Sequence, residues 1–210
     1  MDVDDLKKMN SFDFIMSLGA NCMVAYQLKR LGLRDFSGPI DWVINSSLEN
    51  VNQMIKNRFN DYMELSNLRI IGIHEGFYSV EDMLYNTYSF HDFPVSSNDC
   101  ITNYPQFREL LNRRIERFYD RISQSKSALF VREKATYDET IRLKETLSLY
   151  TKGKVNIMII NNTVENRVIS QDWGIEGVYV REMPLNLNVL EIDRDQYWSE
   201  ILSDDNFSNL

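Results

Sequence analysis

Thiol and imidazole are almost missing from this sequence of 210 residues, which holds 2 cysteines and 2 histidines: Cys22, Cys100, His74 and His91. That scarcity excludes a disulfide framework and leaves too little material for a cysteine-rich zinc site. His74 and His91 do not fall at the short spacing of helical metal motifs, so no metal and no other cofactor is expected. Proline is sparse, at 4, while 11 Phe, 11 Tyr and 3 Trp supply far more aromatic surface than a disordered chain carries. Long apolar runs are absent as well. The longest, Val155 to Ile160, is far short of the roughly 18 residues of a membrane span. Basic charge is in deficit, with 23 Lys and Arg against 31 Asp and Glu and a net charge of −8, which speaks against a general nucleic-acid binder. The opening Met-Asp-Val-Asp-Asp lacks the apolar core of a signal peptide, so a cytoplasmic location is the expectation, with neither nucleic acid nor membrane as a partner.

What is present fits one α/β domain over residues 1–210: apolar residues make up 43% of the chain and charged residues 26%. Phe12, Phe14, Ile15, Met16 and Leu18 form a mostly apolar run suited to a strand buried on both faces. Gly19-Ala20-Asn21 breaks it, and a helix follows from Cys22 to Leu31, with Asn21 as N-cap and Gly32 at the left-handed C-terminal position. Ser46-x-x-Glu49 reads as a capping box for a second helix, and Pro105 opens a long third one. Strands at Leu68–Ile73, Ser127–Arg132, Lys154–Ile160 and Val178–Arg181, a capping box at Thr136-x-x-Glu139 and a final helix at Asp195–Leu202 complete the pattern. The predicted architecture is a mainly parallel sheet flanked by helices, with a mostly helical insertion at about 43–122.

Cys22 stands after a strand and a glycine-containing turn, in the first turn of a helix. Unpaired N–H groups and the helix dipole favour a thiolate there, and the same N–H groups can stabilise an oxyanion. Gly19 and Asn21 are therefore candidate oxyanion or substrate-binding positions. The competing reading is that Cys22 is a packed core thiol. His91, between Phe90 and Asp92, is either a general base or a core histidine, and His74 is the competing base. A parallel sheet would also gather Arg132 and Arg181, at carboxyl ends of strands, near the thiol, where each would bind a carboxylate or phosphate or else form a structural ion pair.

Taken in order, Ser17-Leu18-Gly19-Ala20-Asn21-Cys22, Gly32-Leu33-Arg34, Gly38-Pro39-Ile40-Asp41-Trp42, Phe90-His91-Asp92-Phe93 and Phe130-Val131-Arg132 resemble a bacterial family described as putative papain-like cysteine peptidases, over roughly residues 12 to 182. The resemblance implies Cys22 as nucleophile, His91 as general base and an acidic residue, Asp41 or Asp92, orienting the ring. Adjacent strand residues face opposite ways, which favours Asp41 over Asp92. Ile40 departs from the aromatic expected at that position. The papain signature around the cysteine is absent, and papain-like folds have an antiparallel main sheet, so a papain-like α+β architecture is the alternative fold. The expected function is a cysteine-dependent hydrolase acting on a peptide or small-molecule acyl substrate. The alternatives are a thiol- or arginine-based transferase acting on a sugar or phosphate-bearing molecule, and a non-catalytic binding module.

Overall fold

A computed structural model describes residues 12–185 and 191–203. In chain order the elements are β1 (Phe14–Ser17), α1 (Cys22–Arg30), β2 (Val43–Ile44), α2 (Leu48–Lys56), β3 (Leu68–His74), β4 (Phe77–Asp82) and β5 (Thr87–Ser89). There follow α3 (Tyr104–Gln124), β6 (Ser127–Glu133), α4 (Tyr137–Ser148), β7 (Lys154–Thr163), β8 (Ile169–Gln171), β9 (Val178–Pro184) and α5 (Glu191–Ile201). The main sheet runs β1-β6-β7-β9-β8, with β8 alone antiparallel, and a second sheet, β2-β5-β4-β3, is antiparallel throughout. The papain-like alternative does not describe this main sheet.

Period-two alternation along the parallel strands feeds two cores. Leu129, Val131, Met158 and Ile160 face one side, where Val24 and Leu28 of α1 and Trp198 and Ile201 of α5 cover them. Phe14, Met16, Phe130, Ile157 and Ile159 face the other, under Val51 and Ile55 of α2, Phe118 and Ile122 of α3 and Leu143 of α4. Strands buried on both faces need continuous apolar sequence, and the valines and isoleucines of β6 and β7 supply it.

The helix boundaries follow from their caps. The Asn21 side chain accepts from the Met23 N–H at 2.7 Å, and Gly32 takes φ +71° beyond the end of α1. The cap of α2 is Ser47 rather than Ser46: its Oγ accepts from the Asn50 N–H at 3.2 Å, because the chain is still held extended at Asn45 by hydrogen bonds to its backbone. Both halves of the Thr136–Glu139 capping box are made.

The mostly helical insertion is corrected. Residues 43–122 contain α2 and most of α3, but between them lies the antiparallel sheet. Its tightest turn joins β3 and β4 through Glu75 (φ 47°) and Gly76 (φ 84°), the two positive values of a type I′ turn. β3 matches the strand expected at Leu68–Ile73, but a Glu-Gly pair lacks the Asn-Gly or Asp-Gly signature, and β4 and β5, of six and three residues, give too short a period to declare themselves. The next hairpin is shaped by Asp82, whose carboxylate accepts from Leu84 N at 2.9 Å, Tyr85 N at 3.3 Å and, across the core, Met63 N at 2.7 Å. β8, three residues at a sheet edge, also escaped the sequence pattern.

Thr136→Ala removes one half of a fully formed capping box and should cost about 1 kcal/mol, read as a lower urea midpoint at unchanged slope. An unchanged midpoint would show that α4 is held by its buried face alone.

Candidate functional site

The turn between β1 and α1 is built from backbone that few residues tolerate. Gly19 has φ +77° and Ala20 φ +78°. A Cβ on Gly19 would stand 2.5 Å from Nδ2 of Asn45, so glycine is required there on two counts. Ala20 has no such licence, and its left-handed backbone costs about 1 kcal/mol or more that its surroundings must offset. Those surroundings are Asn45: its N–H donates to the Ala20 carbonyl at 3.1 Å, and its Oδ1 accepts from the Ala20 N–H at 3.4 Å. Gly19 N–H donates to Ser17 Oγ at 3.1 Å.

This turn delivers Cys22 half-buried to the first turn of α1, whereas Cys100 is exposed. A cavity of about 460 Å³ opens beside the thiol. Trp42, Val43 and Ile44 of the β2 segment form one wall, and Ile73 and His74 from the end of β3 with Ser79 of β4 form another. Phe90 and His91, just past β5, complete it. Both imidazoles thus share one cavity with Cys22, although 17 residues of chain separate them and more than fifty separate either from the thiol. Their rings are set edge-on to aromatics, His74 against Phe90 and His91 against Phe77, each with centroids 6.3 Å apart. Among the described residues no hydrogen bond joins the thiol to either ring, and both histidines are exposed.

The two candidate acids lie differently. Asp41 is buried, and its Oδ2 accepts from Arg34 Nη1 at 2.7 Å and from the Gly38 N–H at 2.9 Å. The same Arg34 guanidinium sits 5.1 Å over the Trp42 ring. The Gly38–Trp42 motif is therefore a rigid turn whose carboxylate carries the cation behind a cavity wall, and Asp41 itself does not line the cavity. The preference for Asp41 over Asp92 rested on strand alternation, which does not apply at His91 because β5 ends at Ser89. Asp92 accepts from Ser89 Oγ at 2.6 Å; burial raises its carboxyl above the ordinary range, while the Ser89 hydrogen bond, the Arg114 charge and His91 pull it down.

Of the remaining candidates, Asn21 is engaged at both ends of its amide: Oδ1 caps α1 and Nδ2 donates to Glu133 Oε2 at 2.7 Å. The N–H of Gly19 is likewise in use within the turn. Arg132 is fully buried, and its guanidinium donates to the Leu18 carbonyl at 2.8 Å, to the Asn45 carbonyl at 2.9 Å and to Asn45 Oδ1. It is neither an anion clamp nor the structural ion pair set against that reading: it is a hydrogen-bonding bolt between the end of β1 and the end of β2. Arg181 is buried on β9, three strand positions and so roughly 14 Å from β1, with Nη1 donating to the Val180 carbonyl at 3.0 Å. The two arginines do not converge on the thiol.

Asn45 and Glu133 are the functional-site residues that sequence reasoning left without a role. Asn45 carried no signal, since its partners, Ala20 and Arg132, come from two segments distant in sequence. Glu133 had one: it ends a parallel strand beside the Cys22 turn. Among the described residues no group of three or more His, Cys, Asp or Glu is arranged to hold a metal ion, and no helix is long and apolar enough to cross a membrane.

Burial raises the Glu133 carboxyl above its ordinary value of 4.5, and the Asn21 hydrogen bond only partly counters it. The folded state then holds this proton more tightly than the unfolded chain does. Stability contributed by the carboxyl is present at low pH and is lost as pH rises from 4.5 through the folded value. Glu133→Gln keeps an acceptor for Asn21 and cannot ionise. It should match the parent near pH 4 and be the more stable protein at pH 7.5 by urea denaturation; a deficit of equal size at both pH values would contradict this.

A model of the family described as "putative papain-like cysteine peptidase" matches residues 13–169. The chain is also 28% identical over 179 residues to "Uncharacterized protein R408" of Acanthamoeba polyphaga mimivirus, an alignment covering 77% of this chain and 78% of that protein. That relative is viral, and these comparisons do not tie the chain to bacteria. No solved structure matches.

Proposed function

The chain belongs to the family described as putative papain-like cysteine peptidases, and on that premise we propose that it is a cysteine-dependent acyl hydrolase with Cys22 as nucleophile and His91 as general base. The observation that carries this reading is the cavity in which a helix-start thiol meets the imidazoles of the chain. A binding module with a packed thiol and distant histidines would not need that convergence. The arginine-based transferase reading loses its support because Arg132 is committed to backbone and to Asn45 and Arg181 lies across the sheet.

In the reaction, Cys22 Sγ attacks the substrate carbonyl carbon while the thiol proton passes to His91. The carbonyl oxygen becomes an oxyanion that the open first-turn N–H groups of α1 stabilise; Gly19 and the Asn21 side chain are engaged elsewhere and serve by holding the turn. The intermediate collapses, the leaving group takes the proton from the imidazolium, and a thioester remains on Cys22. Water, deprotonated by the same imidazole, then attacks the thioester, releasing a carboxylic acid and restoring the thiol. His91 is exposed on a bend past β5, at the cavity that holds the sulfur. Asp92, next to it in the chain, supplies the carboxylate that pairs with the imidazolium formed in the reaction. Asp41 acts further back, through Arg34 and Trp42.

Hydrolysis of a panel of 4-nitrophenyl esters and fluorogenic peptides tests the assignment. Cys22→Ala should abolish turnover with an unchanged circular dichroism spectrum. His91→Ala should lower kcat/KM by about 10²- to 10⁴-fold, and His74→Ala by less than about tenfold. Turnover retained by Cys22→Ala would end the proposal, and a larger loss at His74 than at His91 would transfer the base to His74.

A further inference from the structure

We propose that the cavity beside Cys22 receives an uncharged apolar or aromatic acyl group, and that Ile44 and Ile73 help set this preference. The inference rests on Cys22 as the reacting group. Among the described residues no Asp, Glu, Lys or Arg lines the cavity, so a carboxylate or phosphate buried there would have only the two imidazoles and the start of α1 to offset its desolvation, and the reaction itself uses those groups. Its walls are instead the indole of Trp42, the ring of Phe90 and the side chains of Val43, Ile44 and Ile73. At about 460 Å³ it has the size of a small-ligand site, ample for an aromatic ring beside the reacting carbonyl.

Part of this wall is fixed and part is open. Val43 is buried at 5% exposure, and Trp42 lies against the Arg34 guanidinium that Asp41 holds. Ile44 and Ile73 are 40% and 64% exposed, on strands at opposite edges of the second sheet. Two branched apolar side chains left to water at the mouth of a cavity that holds a thiol are surface that an apolar substrate group would cover. The Ser79 hydroxyl on the β4 side offers a polar contact for the uncharged part of such a substrate.

The test compares alkylation of the two cysteines within one molecule, with iodoacetamide, N-benzyl iodoacetamide and N-(4-carboxybenzyl) iodoacetamide as matched probes and peptide mapping as readout. Cys100, exposed and outside the cavity, is the internal reference. The benzyl-to-parent rate ratio should be at least about tenfold higher at Cys22 than at Cys100, and the carboxybenzyl probe should show no such gain. Ile44→Glu and Ile73→Glu, both at exposed positions where the fold can absorb the change, should bring the ratio at Cys22 to within about threefold of that at Cys100. Equal ratios at the two cysteines, an equal gain for the carboxylated probe, or a full gain in both Glu variants would overturn the proposal. An unactivated Cys22 would slow all three probes together and leave these ratios readable, so failure of the hydrolase assignment is distinguishable from failure of this one.

Discussion

A single buried guanidinium ties the two sheets together at the candidate site. Arg132 leaves the parallel sheet from β6 and spends its fork on three oxygens: the Leu18 carbonyl at the end of β1, and the backbone and side-chain carbonyls of Asn45 at the end of β2. Arginine suits this task because its donors are planar and fixed in direction, which a lysine's are not. Burial depresses the Arg132 pKa to about 10, against the pull of Glu139 and Glu133, so it remains a cation at neutral pH with backbone and amide dipoles for company. Asn45, once fixed, makes a reciprocal pair of hydrogen bonds with Ala20 and so holds a left-handed alanine in the turn before Cys22. One network therefore joins the turn before Cys22 to the end of β2, in the sheet whose strand β3 carries His74. Removing either member of it would leave buried carbonyls or amides unpaired, at about 1–3 kcal/mol each.

The second organising motif is Gly38–Trp42. A Cβ at position 38 would stand 3.1 Å from Asp41 Oδ1 and from the Met16 sulfur, so either side chain would have to give by a few tenths of an ångström. Asp41 accepts the Gly38 N–H and clamps Arg34, and Arg34 lies on Trp42. Burial pushes the Asp41 carboxyl up, while the Gly38 hydrogen bond and the Arg34 charge pull it back. An acidic residue in such a place is easily taken for the partner of a catalytic imidazole. Its geometry makes it the support of a cavity wall.

Local signals in the sequence carried most of the parallel sheet and its helices. Asn21, Gly32 and the Thr136–Glu139 box mark helix ends by chemistry that acts within a few residues, and β6 and β7 announce themselves through unbroken apolar runs. The antiparallel sheet was harder: β3 was legible as a strand at Leu68–Ile73, but β2 has two residues and β5 three. No hydrophobic alternation survives in strands of that kind. At the site, Cys22 was legible from its place after a strand and turn, and the histidines from their scarcity. Arg132, Asp41 and Asn45 were not, since a charged or amide side chain shows its partner only in three dimensions. Sequence offered an anion clamp and an imidazole orienter where the fold has a bolt and a wall support.

The central claim is that the start of α1 and a neighbouring imidazole hold the Cys22 sulfur ready to react. Its most direct test is the pH dependence of iodoacetamide alkylation at Cys22, measured against Cys100 in the same protein. The account predicts that Cys22 reacts selectively, by about tenfold or more over Cys100, and that His91→Ala abolishes the difference. Slow, matched rates at both cysteines across the whole pH range would contradict it.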